Sequence, residues 1–260
     1  MSLIEKTLFG TEDKVQSAID MLKEIEPPEG YYLAFSGGKD SIVIKRLAQI
    51  AGVKFDIHYS VTTIDPPELI YYIREHHPEV VGDRADEPFL SKLAYKGFPI
   101  RQSRWCCAEY KEKGGEGRFV ITGVRAAESS RRAKRKQVEF CMRGGGKRYL
   151  HIIFRWTDSD VWEFIRREQL PYCKLYDEGW DRIGCLFCPM AKQSIRSTSV
   201  ERYPMFARAF SRAFAKLYQL RKEQGRTSVD RWDNGEEMFN WWISEQKQSK
   251  ENPDQMVMFE

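Results

Sequence analysis

The chain has 260 residues, a formal net charge of +4 and an apolar share of 42%, which suits one sizeable folded core with an appendage. No apolar run approaches the length of a membrane span, and no basic region followed by an apolar segment marks the N-terminus, so neither a membrane protein nor a secreted one is expected. The expected compartment is cytoplasmic, where structural disulfides are rare, and six cysteines are therefore candidates for metal or redox work.

In chain order, Val15, Ile19 and Leu22 give helical spacing over residues 11–25, and Pro27-Pro28 ends that helix. Residues 31–35 read as a strand, residues 42–50 as an amphipathic helix and residues 53–61 as a second strand. Pro66-Pro67 starts a helix that runs to about His76. A short strand over 79–82 and a helix over 88–95 follow. Gly114, Gly115 and Gly117 mark a flexible connection, and residues 119–123 are apolar and β-rich. Residues 143–147, with three consecutive glycines, read as a loop or hairpin turn before another strand at 149–154. Asp158 is expected to cap a helix whose apolar face carries Val161, Trp162, Phe164 and Ile165. After Pro189 the chain reads as mostly helical, with 203–222 and 235–246 as the candidates. Tyr203, Phe206, Phe210, Phe214 and Tyr218 form a packing face, and Trp241-Trp242 anchors the last helix. Strands alternating with helices predict an α/β fold, a mainly parallel twisted sheet with helices on both faces, plus a helical C-terminal region. The expected division is a nucleotide-binding domain over 1–190 and a helical extension over 191–260.

Chemistry concentrates first in Phe35-Ser36-Gly37-Gly38-Lys39-Asp40-Ser41, a turn between strand and helix. Two glycines let the backbone fold tightly and bring several N–H groups to one anion. The helix behind them adds the positive end of its dipole. Ser36 and Ser41 supply hydroxyls and Lys39 a charge. The spacing differs from the Gly-x-x-x-x-Gly-Lys-Ser/Thr loop. On a parallel sheet, ligands bind at the carboxyl ends of the strands, where this turn sits.

Four cysteines form a second pattern. Cys106 and Cys107 are adjacent, and Cys185 and Cys188 make Cys-Leu-Phe-Cys before Pro189. Two close pairs can place four thiolates around an iron–sulfur cluster or zinc. Cys141 and Cys173 have no such pattern and read as packing or spare thiols. His58, His76, His77 and His151 show no metal spacing with them.

The turn resembles the PP-loop of ATP pyrophosphatases. Further on, Gly123-Val124-Arg125-Ala126-Ala127-Glu128-Ser129-Ser130-Arg131-Arg132 is similar to the Gly-x-Arg-x-x-Glu/Gln-Ser-x-x-Arg segment of the phosphoadenosine-phosphosulfate reductase family. Trp156-Thr157-Asp158-Ser159-Asp160-Val161-Trp162, the run from Leu170 to Gly179 and Arg182-Ile183-Gly184-Cys185 extend the likeness over residues 31–190. The resemblance implies the Rossmann-like fold of the adenine-nucleotide α-hydrolases. It implies a phosphate site of Ser36, Gly37, Gly38, Lys39, Asp40, Ser41, Gly123, Arg125, Glu128, Ser129 and Arg132, with Lys39, Asp40 and Arg125 as the catalytic candidates. It also implies that Cys106, Cys107, Cys185 and Cys188 hold a [4Fe-4S] cluster, with zinc as the runner-up.

Two departures orient the functional expectation. The family's reductases carry a nucleophilic cysteine in a short C-terminal segment, and here no cysteine follows Cys188. Their loops are also often degenerate, whereas this one keeps the full pyrophosphate-binding form. The expected enzyme binds ATP with Mg²⁺, or an adenylyl-sulfate nucleotide. It activates an α-phosphate for sulfur transfer between a donor and an acceptor that the sequence does not name. The alternatives are a sulfonucleotide reductase releasing sulfite, and a nucleotide- or nucleic-acid-binding module with a structural metal. Basic residues over 131–136 are the candidate nucleic-acid contact, and no membrane partner is expected.

Overall fold

The computed structural model describes residues 3–7, 10–141 and 145–244. Strands β1 (Ile4–Thr7) and β2 (Gly10–Asp13) pair antiparallel, with Ile4 opposite Asp13 and Lys6 opposite Thr11. Helix α1 (Lys14–Ile25) therefore begins later than residue 11. Its start is fixed by Asp13, whose Oδ1 accepts from the amides of Val15 and Gln16 at 2.9 and 3.1 Å. Next come β3 (Tyr31–Ala34), α2 (Lys39–Ala51), β4 (Phe55–Val61), α3 (Pro67–His76), β5 (Val81–Arg84) and α4 (Phe89–Lys96). After a π-helical turn at Cys107–Lys111 come β6 (Phe119–Ile121), α5 (Ser130–Ala133), β7 (Val138–Cys141), β8 (Lys147–Leu150) and α6 (Asp158–Arg167). The chain continues through α7 (Gln193–Arg202), α8 (Pro204–Glu223) and α9 (Gly235–Ile243).

Other expected boundaries move as well. The strand at 149–154 is β8, and the backbone turns after it, with Phe154 N bonded to His151 O and Trp156 N to Ile153 O. Helix α6 is capped by Thr157 rather than Asp158. Thr157 Oγ1 accepts from Asp160 N, and Asp160 Oδ2 accepts from Thr157 N, a reciprocal pair that leaves the Asp158 carboxylate for other work. The last helix ends at Ile243; residues 245–246, residues 143–144 of the glycine turn and the tail lie outside the described residues.

The chain packs as two compact units. The first comprises the chain up to Val61, Pro67–Arg84 and Glu112–Ile183. It holds a six-stranded sheet in the order β5-β4-β3-β6-β8-β7, parallel except for β7. Leu33, Val43, Ile44, Leu47, Ile121, Leu150 and Phe164 are fully buried there, and α2 packs against α1 and α6. From β3 the chain builds outward to β4 and β5, and from β6 it builds the other way to β8. The reversal falls between β3 and β6, the place where open α/β sheets form a crevice at their carboxyl ends.

The second unit comprises Thr62–Pro66, Ala85–Lys111 and the chain from Gly184 onward. Helix α8 packs on α4 and α9 through Phe89, Leu93, Phe210, Phe214, Phe239 and Trp242. Phe210, Phe214 and Tyr203 are buried, as the aromatic spacing predicts, and Phe206 and Tyr218 are half-buried. Trp242 Nε1 donates to Pro99 O at 2.8 Å. A cut at residue 190 passes through this unit, because α4 and the segment after it pack with the C-terminal helices. No helix among the described residues is long and apolar enough to cross a membrane.

Candidate functional site

The turn after β3 has the form its sequence requires. Gly37 sits at φ +71°, and a Cβ there would lie 2.7 Å from Leu69 Cδ1 and 2.8 Å from Ile73 Cδ1, so only glycine fits. Gly38 is the N-cap of α2 and offers no side-chain acceptor to the first amides of the helix. Ser41 Oγ donates to Gly38 O at 2.8 Å and lies 3.4 Å from Ser36 Oγ. Lys39 is buried. Its Nζ donates to Asp181 O at 2.8 Å and pairs with Asp158 Oδ1 at 3.1 Å, and its amide donates to Tyr176 Oη at 2.9 Å.

The Gly123–Arg132 motif locks onto this turn. A Cβ on Gly123 would stand 2.8 Å from Asp40 Cβ, so glycine lets the strand β6 exit pass the first turn of α2. Arg125 is buried and fully engaged: Nε donates to Asp40 Oδ1 at 2.6 Å, Nη2 to Asp158 Oδ1 at 3.0 Å and Nη1 to Trp156 O at 3.5 Å. Glu128 Oε2 accepts from Arg125 N and pairs with Arg132, and Ser129 Oγ accepts from Arg132 N at 3.2 Å. Glu128, Ser129 and Arg132 thus hold one another and orient Arg125. Burial pushes the Asp40 carboxyl up, against the pull of Arg125 and Lys39.

Cys106, Cys107, Cys185 and Cys188 all lie in the second unit. The Cys106 thiol is pushed up by its hydrogen bond with Cys107, by burial and by the fields of Cys107, Cys185 and Cys188. Burial pushes Cys185 up to about 12, with Asp65 and Cys188 adding to it and the Lys111 ammonium opposing. Phe187, at φ +58°, makes the turn that brings Cys188 N to Cys185 O at 3.3 Å, and Leu186 N donates to Ile64 O at 2.8 Å. Arg104 Nη1 stands 4.0 Å from Cys107 Sγ. Among the described residues no three His, Cys, Asp or Glu side chains converge as tightly as a bound ion requires. Lys111 is the cation beside Cys185, and Arg104 the one beside Cys107. Cys173 is buried in the first unit, and Cys141 ends β7.

Across the basic segment, Arg132 and Arg135 are neutralised by Glu128 and Glu139, while Arg131, Lys134 and Lys136 are exposed. His77 lies between Lys45 and Tyr72, His151 bonds Thr122, and His58 stacks on Tyr32 between Asp56 and Asp83. Sequence spacing assigns nothing to Tyr176 or Asp181 and makes Asp158 a helix cap, whereas the fold sets Tyr176 Oη and Asp181 O on Lys39 and the Asp158 carboxylate between Lys39 and Arg125. Lys111 and Asp65 beside the cysteines carry no local signal, since they reach Cys185 only through the fold.

The phosphoadenosine phosphosulfate reductase domain family matches residues 30–191. An uncharacterized protein of Methanocaldococcus jannaschii is 28% identical over 218 residues, covering 77% of this chain and 45% of that protein. The chain thus spans about half the length of this relative. An adenosine 5′-phosphosulfate reductase of Staphylococcus haemolyticus is 27% identical over 199 residues, covering 69% of this chain and 79% of that protein. The crystal structure of phosphoadenylyl-sulfate reductase from Candida auris, a phosphate complex, shares the fold with a TM-score of 0.52 at 18% identity, over 65% of this chain and 88% of that one. Because the family match covers more than half of the sequence, from β3 through the second cysteine pair, this chain belongs to the phosphoadenosine phosphosulfate reductase domain family.

Proposed function

We propose that this chain binds ATP at the Ser36 to Ser41 turn and activates an acceptor for sulfur transfer by displacing pyrophosphate from the α-phosphorus. The observation that carries this reading is the complete turn itself, with left-handed Gly37, an N-cap without a side chain at Gly38 and the buried Lys39. In the reaction the acceptor's nucleophile bonds to the α-phosphorus as the bond to the bridging oxygen breaks. Negative charge then grows on the departing pyrophosphate. The amides at the start of α2, the hydroxyls of Ser36 and Ser41 and the Lys39 ammonium are the groups that stabilise it. ATP enters as its Mg²⁺ complex. Arg125 is a positioning residue, holding Asp40 and Asp158 so that the turn keeps its shape. Cys106, Cys107, Cys185 and Cys188 would hold a [4Fe-4S] cluster, or zinc as the runner-up, which would supply a thiophilic centre for the sulfur being moved.

A second reading, reduction of a sulfonucleotide with release of sulfite, draws on the activity named for the staphylococcal relative. One experiment separates the two. Protein purified anaerobically is incubated with ATP, a sulfide donor and candidate acceptors, or with adenylyl sulfate and a dithiol as the two-electron reductant. Pyrophosphate release from ATP supports the first reading. Sulfite release from adenylyl sulfate, with ATP left intact, supports the second.

A further inference from the structure

Tyr176 ends the short turn Lys174–Tyr176, far in sequence from the phosphate turn, yet its hydroxyl lies against it. Tyr176 Oη accepts from Lys39 N at 2.9 Å. A Cβ on Gly38 would come within 3.2 Å of it. The ring is held edge-on by Trp162, with centroids 5.2 Å apart, and lies 5.4 Å from Lys39 Nζ. The Lys39 ammonium is drawn the same way by Asp181 O. The first amide of a helix is a donor that an anion readily takes, and here a neutral phenol takes it.

We infer that the Tyr176 hydroxyl is a displaceable stand-in for a phosphoryl oxygen: a pyrophosphate group entering the turn takes the Lys39 amide from it and releases the segment from Lys174 to Ile183. A charged acceptor makes roughly twice as strong a hydrogen bond as a neutral one, so pyrophosphate displaces the phenol. A ligand that never reaches the Lys39 amide leaves the phenol in place. Affinity for pyrophosphate-bearing ligands is lowered by the fraction of molecules in which the phenol holds the amide. This inference rests on the reading that the Ser36 to Ser41 turn seats pyrophosphate.

The test is calorimetric titration of inorganic pyrophosphate, ATP and AMP into the wild type, Tyr176→Phe and Tyr172→Phe. The Tyr172 hydroxyl donates to Asp177 Oδ1 at 3.0 Å rather than meeting the Lys39 amide. Tyr176→Phe keeps the ring and removes the competing oxygen. It is expected to bind pyrophosphate and ATP roughly fivefold more tightly, the worth of one neutral hydrogen bond, with AMP unchanged. A merely structural hydroxyl would weaken binding when removed. In the wild type, pyrophosphate is expected to raise amide exchange over 174–183. Equal affinities in wild type and Tyr176→Phe, or the same gain in Tyr172→Phe, overturn the role given to Tyr176 and leave the turn as a pyrophosphate seat. If neither wild type nor Tyr176→Phe binds pyrophosphate or ATP, the reading of the turn falls as well.

Discussion

Arg125 Nε and Asp40 Oδ1 are 2.6 Å apart, and this bond ties the segment leaving β6 to the first turn of the helix behind the phosphate turn. The two residues are 85 apart in sequence and face each other across the crevice between β3 and β6. Removing one partner strands a charge in a largely dry place. Arg125→Met is expected to lower stability by roughly 3 kcal/mol, and adding Asp40→Asn to restore part of it, so that the double variant costs less than the sum. The Asp40 carboxyl, already pushed up by burial, rises further without Arg125. Such a group disfavours the folded state where it must ionise, so the Arg125→Met deficit is larger at pH 8 than at pH 5. Urea unfolding at both pH values checks the size and the sign.

Gly123 tests the close approach directly. Its backbone is ordinary, so only space forbids a side chain, with Asp40 Cβ at 2.8 Å and Asp40 C at 3.1 Å from an added Cβ. Gly123→Ala is expected to lose about 1–3 kcal/mol of stability, as overpacking does, and to lose ATP affinity because the first turn of α2 must shift. Thermal unfolding and ATP titration read the two effects.

Two buried histidines set an acid limit. Burial, aided by Lys45, lowers the pKa of His77 from 6.5 to about 4, and burial, aided by Arg135, does the same for His151. Above pH 6.5 both are neutral folded or unfolded and cost nothing. As pH falls from 6.5 to 4 the unfolded chain binds protons that the folded one refuses, so stability drops, by at most about 1.4 kcal/mol per pH unit for each histidine. Urea midpoints between pH 4 and 8 are expected to be flat above 7 and to fall below 6.5. His77→Gln is expected to soften the fall.

Protein purified anaerobically is expected to hold iron and acid-labile sulfide and to absorb in the visible. Cys185→Ser is expected to remove most of both, while the serine substitution at Cys141 leaves them unchanged, since Cys141 stands in the first unit. A colourless protein with stoichiometric zinc, lost in Cys185→Ser, would replace the cluster with the runner-up.

The turn from Ser36 to Ser41, the arginine motif and the four cysteines were legible because each is a local pattern with its own spacing. The parallel sheet was legible from the alternation of apolar runs with helical ones. The hairpin of β1 and β2 was not, since Glu5, Lys6, Thr11 and Glu12 alternate with no apolar face. Nor was the start of α6, where Thr157 and Asp158 are both good caps and only the bond to Asp160 decides between them. The placement of 85–111 with the C-terminal helices rests on contacts such as Trp242 to Pro99, and the Tyr176 bond to Lys39 spans 137 residues. Such pairings have no signature in either segment alone. Arg125 shows the same limit: its motif marked it as important, but only the fold reveals that Asp40, Asp158 and Trp156 O occupy its three nitrogens.

In the proposed function the Ser36 to Ser41 turn seats the pyrophosphate of ATP. Its most direct test is the affinity of the anaerobic protein for ATP, inorganic pyrophosphate, AMP and adenylyl sulfate, measured side by side with Mg²⁺. ATP and pyrophosphate are expected to bind and to compete with each other, and AMP to bind at least tenfold more weakly than ATP. AMP or adenylyl sulfate binding as tightly as ATP, with no binding of pyrophosphate, would contradict it.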